Sequence, residues 1–392
     1  MRDLFMKCEQ PSMADEMIAR GVYPYFHALE SRQDVEVIME GKRRIMLGSN
    51  NYLGLTTCPE VMEAAIRATQ KYGTGCSGSR FLNGTLELHL QLEEELADFL
   101  HKEKVITFST GFQSNLGIIS AIVGMHDYII SDRENHASIY DGCRLSYGKM
   151  LCYQHADMAD LERQLKKVPE NYGCLIVTDG VFSMSGDIAK LPEICGLAKQ
   201  YGARVMVDDA HALGVIGEGG RGTASHFGLE DEVDIYMGTF SKSLASLGGY
   251  MAASKSVIDY VKHSSRPFIF SASIPPACCA ASLAALRYLR EHPQIVQDLA
   301  DISSYFRKRL KECGLKIIES QTPIIPIYTY DAYNTLLKAK QAYDAGVYAN
   351  PVLPPACPEG ECLLRTSCMA IHTKPLIDEA AEILAKVMKE NG

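Results

Sequence analysis

Lys242 sits in Gly238-Thr239-Phe240-Ser241-Lys242-Ser243-Leu244-Ala245-Ser246-Leu247-Gly248-Gly249, directly after the apolar run Val233-Asp234-Ile235-Tyr236-Met237. A strand that ends in small hydroxyl residues presents an amine rigidly and leaves room for a ring. The hydroxyls of Thr239 and Ser241 suit a phosphate. A surface lysine would sit among other charges, whereas the flanks here are small and apolar, and lysines are seldom buried without a partner. Imine chemistry needs an unprotonated amine, so such a site should depress the lysine pKa. Pyridoxal phosphate takes its Schiff-base lysine in this way and also needs an acidic partner for its pyridine nitrogen.

That partner is expected in Val205-Met206-Val207-Asp208-Asp209-Ala210-His211. Asp208 closes an apolar run, where α/β enzymes place their chemistry. His211 follows three residues later and has the reach to bond a ring hydroxyl. The alternative, a helix-capping aspartate beside a packing histidine, weakens once Lys242 is considered with them. His136, in Asn135-His136-Ala137-Ser138, opens a helical pattern, as a ring-stacking imidazole or as a capping neighbour. Ser109-Thr110-Gly111-Phe112-Gln113-Ser114-Asn115 leads a strand into a helix. Glycine there admits a phosphate to the helix N-terminus. Arg365, in Leu363-Leu364-Arg365-Thr366-Ser367, is either a carboxylate clamp or an interdomain ion pair.

Positioning these groups requires alternating strands and helices. Apolar runs at 104–108, 128–131, 175–178, 204–208, 235–238 and 249–252 read as strands. Helical patterns at 86–100, 157–166 and 191–201 lie between them. The runs are apolar on both faces, which favours a mostly parallel sheet covered on each side by helices. From about 275 the pattern changes to a long helical region, 276–313, then to short elements at 315–320, 324–328, 333–345, 347–350, 362–367 and 375–389. The expected organisation is an N-terminal segment, 1–50, a large domain, 51–285, and a smaller α+β domain, 286–392. The first segment is too short to fold alone and should pack on the small domain or on a partner subunit.

Composition narrows the function. The chain has 392 residues, is 47% hydrophobic and 22% charged, and carries a net charge of -9. No basic run marks a nucleic-acid surface. The thirteen cysteines are odd in number and form no C-x-x-C pair, which suits reduced thiols. Residues 1–10 lack the apolar core of a signal peptide, and no run reaches the ~18 residues of a membrane span. A cytoplasmic enzyme is expected, and peripheral membrane contact is compatible with the sequence. No metal site is expected.

Taken together the segments resemble the α-oxoamine synthases, a fold-type I family dependent on pyridoxal 5'-phosphate and built like the aspartate aminotransferases. The resemblance runs from Ser49-Asn50-Asn51-Tyr52-Leu53-Gly54-Leu55 to the last helix. It includes Gly73-Thr74-Gly75-Cys76-Ser77-Gly78-Ser79-Arg80, Asp179-Gly180-Val181-Phe182-Ser183-Met184-Ser185-Gly186-Asp187 and Gly217-Glu218-Gly219-Gly220-Arg221-Gly222. Ser241-Lys242-Ser243-Leu244-Ala245-Ser246, Gly21-Val22-Tyr23-Pro24-Tyr25-Phe26 and Pro354-Pro355-Ala356-Cys357-Pro358 are similar to the serine palmitoyltransferase branch.

The resemblance implies a homodimer that condenses L-serine with a long-chain acyl-CoA. The alternative is a sibling activity on glycine or alanine. Lys242 would then hold the cofactor, His136 stack on it, Asp208 pair with the pyridine nitrogen and His211 meet the phenolic oxygen. Gly111, Phe112, Thr239 and Ser241 would surround the phosphate, with Ser183 near the ring. Ser273 would reach the phosphate in the neighbouring subunit, and Asn50 and Arg365 would lie near substrate. Two positions depart from the branch: Asp209 stands where glutamate is common, and Ile371 is bulkier than the usual alanine.

Overall fold

The computed structural model describes residues 1–389. Strands β1 (Glu36–Met39) and β2 (Lys42–Met46) form an antiparallel hairpin in the N-terminal segment. Seven strands then build the central sheet: β3 (Lys104–Phe108), β4 (Asp127–Asp132), β5 (Lys149–Tyr153), β6 (Gly173–Asp179), β7 (Arg204–Asp208), β8 (Ile235–Thr239) and β9 (Gly249–Ala253). Their spatial order is β3-β9-β8-β7-β6-β4-β5. β9 pairs antiparallel with both of its neighbours, and every other pairing is parallel. All five residues of β8 and of β9 are buried, as a sheet sandwiched between helix layers requires. One apolar cluster, including Phe108, Ile118, Met206 and Met251, fills one face. A larger one, including Leu92, Tyr153, Val207 and Tyr250, fills the other and continues into the C-terminal region.

β10 (Ile324–Tyr330), β12 (Asn350–Val352) and β13 (Cys362–Ser367) form a second, antiparallel sheet in the order β10-β13-β12. β11 (Val347–Tyr348) instead joins the N-terminal hairpin, pairing parallel with β2. The first segment therefore completes its sheet with a strand from the C-terminal region.

The six strands read from the sequence of the central sheet are present, and β5 adds a seventh. The helical stretch 276–313 divides into Pro276–Glu291 and Gln294–Glu312 at His292-Pro293, because proline lacks the N–H that a continuing helix needs. The expected junction at 285–286 lies inside the first of these helices, which packs on helices Pro59–Tyr72 and Glu87–Phe99. The expected strand at 315–320 makes only an isolated bridge, Ile317 to Ile327.

Candidate active site

The carboxyl ends of β6, β7 and β8 deliver the chemistry. Asp179 and Asp208 are register partners at the last residues of β6 and β7. Lys242 follows β8 by three residues. Helix Gly111–Ile122 starts immediately beyond β3, its first turn capped by Thr110, whose hydroxyl accepts from Gln113 N at 3.1 Å. This helix comes very close to the sheet. A Cβ on Gly249 would stand 2.8 Å from Gly111 Cα, and a Cβ on Gly111 would stand 2.8 Å from Thr239. Only glycine at both positions lets the helix N-terminus open beside the Thr239 and Ser241 hydroxyls, which are 2.9 Å apart.

These elements enclose a cavity of about 280 Å³. Its wall includes Gly111, Phe112, His136, Ser183, Asp208, His211, Thr239, Ser241 and Lys242. Nine of the sequence-derived positions thus share one space. The rings of Phe112 and His136 meet edge to face, with centroids 6.3 Å apart.

Lys242 faces this cavity from inside the protein. Burial pushes its amine down from 10.5 to about 8, while Asp208 and Asp179 pull it back up. Asp208 accepts from Asn115 Nδ2 at 2.7 Å and from Ala210 N at 2.9 Å. Asp179 lies well above the ordinary carboxylate range because it is buried and because Asp208 is its neighbour. Its Oδ2 accepts from His136 N at 3.0 Å. Burial lowers His136; Asp208 opposes that shift and Lys242 adds to it. His211 is driven well below its usual value by burial, then by the positive charges of Lys242 and Arg365.

Asn50 and Arg365 stand behind the cavity wall, joined to it by hydrogen bonds. Arg365 donates through Nε to the Ser183 carbonyl at 2.6 Å and through Nη2 to Asn50 Oδ1 at 3.0 Å. The same Nη2 reaches Tyr52 Oη at 3.4 Å, and that hydroxyl lies 2.7 Å from His211 Nδ1. Arg365 is therefore tied to backbone and side-chain oxygens. The ion-pair reading of this residue does not describe it.

Ser273 lies outside this cavity. Its N and Oγ both donate to the Gly78 carbonyl, at 3.0 and 3.1 Å. Around it Phe81, Leu82 and Phe270 are 51%, 76% and 78% exposed, an apolar face at the rim of the chain.

Sequence reasoning passed over Asn115, Ser138, Asp179 and Tyr52. Asn115 falls four residues after Gly111, so it shares that helix face. Asp179 ends its strand level with Asp208. Both signals were present as spacing. The two departures are also explained. Asp209 accepts from Thr223 N at 3.0 Å and from its hydroxyl at 2.6 Å, squeezed between Gly180 and Gly222. A Cβ on either glycine would stand 2.2 Å from the carboxylate, so little room is left for a longer acid. Ile371 covers Gly54, with its side chain 2.5 Å from where a Cβ would be, and does not line the cavity.

A family profile for aminotransferase class I and II matches residues 42–384. A serine palmitoyltransferase from Sphingobacterium spiritivorum is 51% identical over 379 residues, covering 97% of this chain and 95% of that one. An 8-amino-7-oxononanoate synthase from Thermoanaerobacter pseudethanolicus is 44% identical over 377 residues, covering 96% and 95%. A solved serine palmitoyltransferase carrying its PLP internal aldimine superposes with a TM-score of 0.96 at 35% identity, covering 98% of both chains. The chain belongs to the class I and II aminotransferase family and, within it, to the α-oxoamine synthases.

Proposed function

We propose that this protein binds pyridoxal 5'-phosphate through Lys242 and condenses L-serine with a long-chain acyl-CoA such as palmitoyl-CoA. The products are 3-ketodihydrosphingosine, CO2 and CoA. The observation that carries this reading is the convergence of a depressed lysine, a ring-end carboxylate and an open helix N-terminus on one cavity. The residues suit the cofactor from end to end. The Gly111 cradle with Thr239 and Ser241 would receive a phosphate, His136 would offer a flat face to the ring, and Asp208 would pair with the pyridine nitrogen. Relatives named serine palmitoyltransferase support the choice of substrates.

When bound, the cofactor supplies an electron sink for a carbanion at the serine α-carbon. The chain's own groups do the rest. Lys242, as the free amine, takes the α-proton. Neutral His136 donates from its ring to the serine carboxylate and orients it. Neutral His211, held by Tyr52, would donate to the cofactor's phenolic oxygen. Arg365, itself held by Asn50, bonds the Ser183 carbonyl and keeps that wall in place. Alignment of the two substrates contributes ~7–11 kcal/mol toward the barrier.

Two copies assemble in this reading, with Ser273 carried to the neighbour's phosphate. The exposed Phe81, Leu82 and Phe270, on the segments beside Ser273, support it, since large exposed apolar side chains favour burial against a partner. The enzyme works in the cytoplasm. All thirteen cysteines are free, and among the described residues no helix is long and apolar enough to cross a membrane. Mass-spectrometric product analysis with serine, glycine and alanine against short and long acyl-CoAs tests the proposal. Only serine with a long-chain thioester should give product and CO2 together. Preferred turnover of glycine or alanine would shift the assignment to a sibling activity.

A further inference from the structure

His136 occupies the N-cap of helix Ala137–Leu145, and its Nδ1 receives two donors. Ser138 N points at it from 3.3 Å, and Ser138 Oγ lies 2.7 Å away. A backbone N–H can only donate, so Nδ1 must present its lone pair. The imidazole proton then resides on Nε2. Ser138 Oγ, having given its hydrogen to Nδ1, accepts from Asn115 Nδ2 at 2.9 Å. The second hydrogen of that same Nδ2 goes to Asp208 Oδ2 at 2.7 Å. The amide orientation is set by Asp208, because the flipped amide would place oxygen against a carboxylate oxygen. Asn115, Ser138 and Asp208 are all buried, so water does not substitute for these bonds.

We propose that Ser138 and Asn115 are positioning residues that fix His136 as its Nε2–H tautomer and hold its ring in register with Asp208. The consequence for catalysis rests on the function proposed above; the tautomer itself does not. With Nδ1 occupied, the one proton His136 offers the cavity is on Nε2, the donor a substrate carboxylate needs. The chain Asp208–Asn115–Ser138–His136 also makes the carboxylate and the imidazole on the cavity wall parts of one network. Moving either disturbs the other.

The charged and titratable groups facing His136 are Asp179 at the end of β6, Asp208 at the end of β7, and Lys242 and His211 beyond β8 and β7. Two donors on Nδ1 stabilise the neutral ring, so removing one must make the ring easier to protonate. Loss of one neutral hydrogen bond corresponds to an upward shift of roughly half to one pH unit.

The test is 15N NMR of histidine-labelled protein, with the His136 signals identified by their loss in His136→Gln. In the wild-type chain His136 should show a protonated Nε2 and an unprotonated Nδ1. Ser138→Ala should give mixed tautomers and raise the His136 titration midpoint, and Ser138→Thr should restore both. Asn115→Leu should move them in the same direction by less, since it acts through Ser138. In the holoenzyme the acid limb of kcat/KM for serine should rise with the NMR midpoint in Ser138→Ala. A protonated Nδ1 in the wild type, or an unchanged midpoint in Ser138→Ala, would overturn the proposal. The NMR arm needs neither cofactor nor turnover. A wild-type chain with the stated tautomer but no serine condensation would sink the function and leave the relay standing.

Discussion

Lys242 shows how position alone changes a side chain's chemistry. At an ordinary pKa its amine would be almost wholly protonated near neutrality. Burial lowers it to about 8, and the two carboxylates limit the fall. Capture of the cofactor by the apoenzyme requires the unprotonated amine. Its rate should therefore climb with pH and level off above about 8. Asp208→Asn removes a charge that raises the lysine, so the midpoint should move to lower pH. Stopped-flow absorbance measures both, and a midpoint near 10 in the wild type would contradict this electrostatic account. The lysine, its aspartate and His211 were legible because each follows an apolar run at a strand end. Asn115 showed only as a spacing, four residues after Gly111, and Ser138 not at all, since a hydroxyl inside a helix pattern carries no signal until its hydrogen bonds are seen.

At the scale of elements, the site depends on how closely helix Gly111–Ile122 approaches β8 and β9. Gly111→Ala would force a methyl to within 2.8 Å of Thr239 and move the helix N-terminus off the phosphate position. Cofactor affinity should fall by roughly tenfold or more, about 1.4 kcal/mol, in equilibrium titration. Unchanged affinity would remove that helix from the phosphate site.

A second device holds the loop that carries Ser183. His155 bonds Asp132 at the end of β4 through Nδ1 and Asp187 through Nε2, both at 3.0 Å. Burial disfavours the charge on His155, but the two aspartates outweigh it and push the imidazole from 6.5 up to about 10. A pKa raised on folding contributes stability that is complete below the unfolded value. The contribution fades as pH rises through the folded one. His155→Gln should thus lower unfolding free energy by about 1–3 kcal/mol at pH 6 and by much less above pH 10. Denaturant titration at the two pH values checks this, and an equal loss at both would show that the charge plays no part.

The elements read well from sequence where burial made them apolar on both faces. β5 went unread because Lys149–Tyr153 is an edge strand, with Lys149 and Cys152 exposed and only Tyr153 fully buried. The β1–β2 hairpin went unread because β1 is only four residues long and its outward Ile38 is apolar, which hides the alternation of buried Val37 and Met39.

At the scale of the molecule, the N-terminal segment and β11 share one sheet, and Arg365 of β13 reaches the Ser183 loop. The C-terminal region thus braces the wall of a cavity that the central sheet builds. The dimer proposed above would cover the exposed Phe81, Leu82 and Phe270. Sedimentation should give twice the 43.2 kDa of the chain. Replacing Phe270 and Leu82 with serine should yield monomers with weakened cofactor binding. Fully active monomers would show that the neighbour contributes nothing.

The central claim is that one amine, on Lys242, carries the cofactor. Borohydride reduction of the protein loaded with pyridoxal phosphate, followed by peptide mass mapping, tests it most directly. The account predicts a single phosphopyridoxyl adduct on Lys242, absent from Lys242→Ala. An adduct on another lysine, or none at all in the loaded wild-type chain, would contradict it.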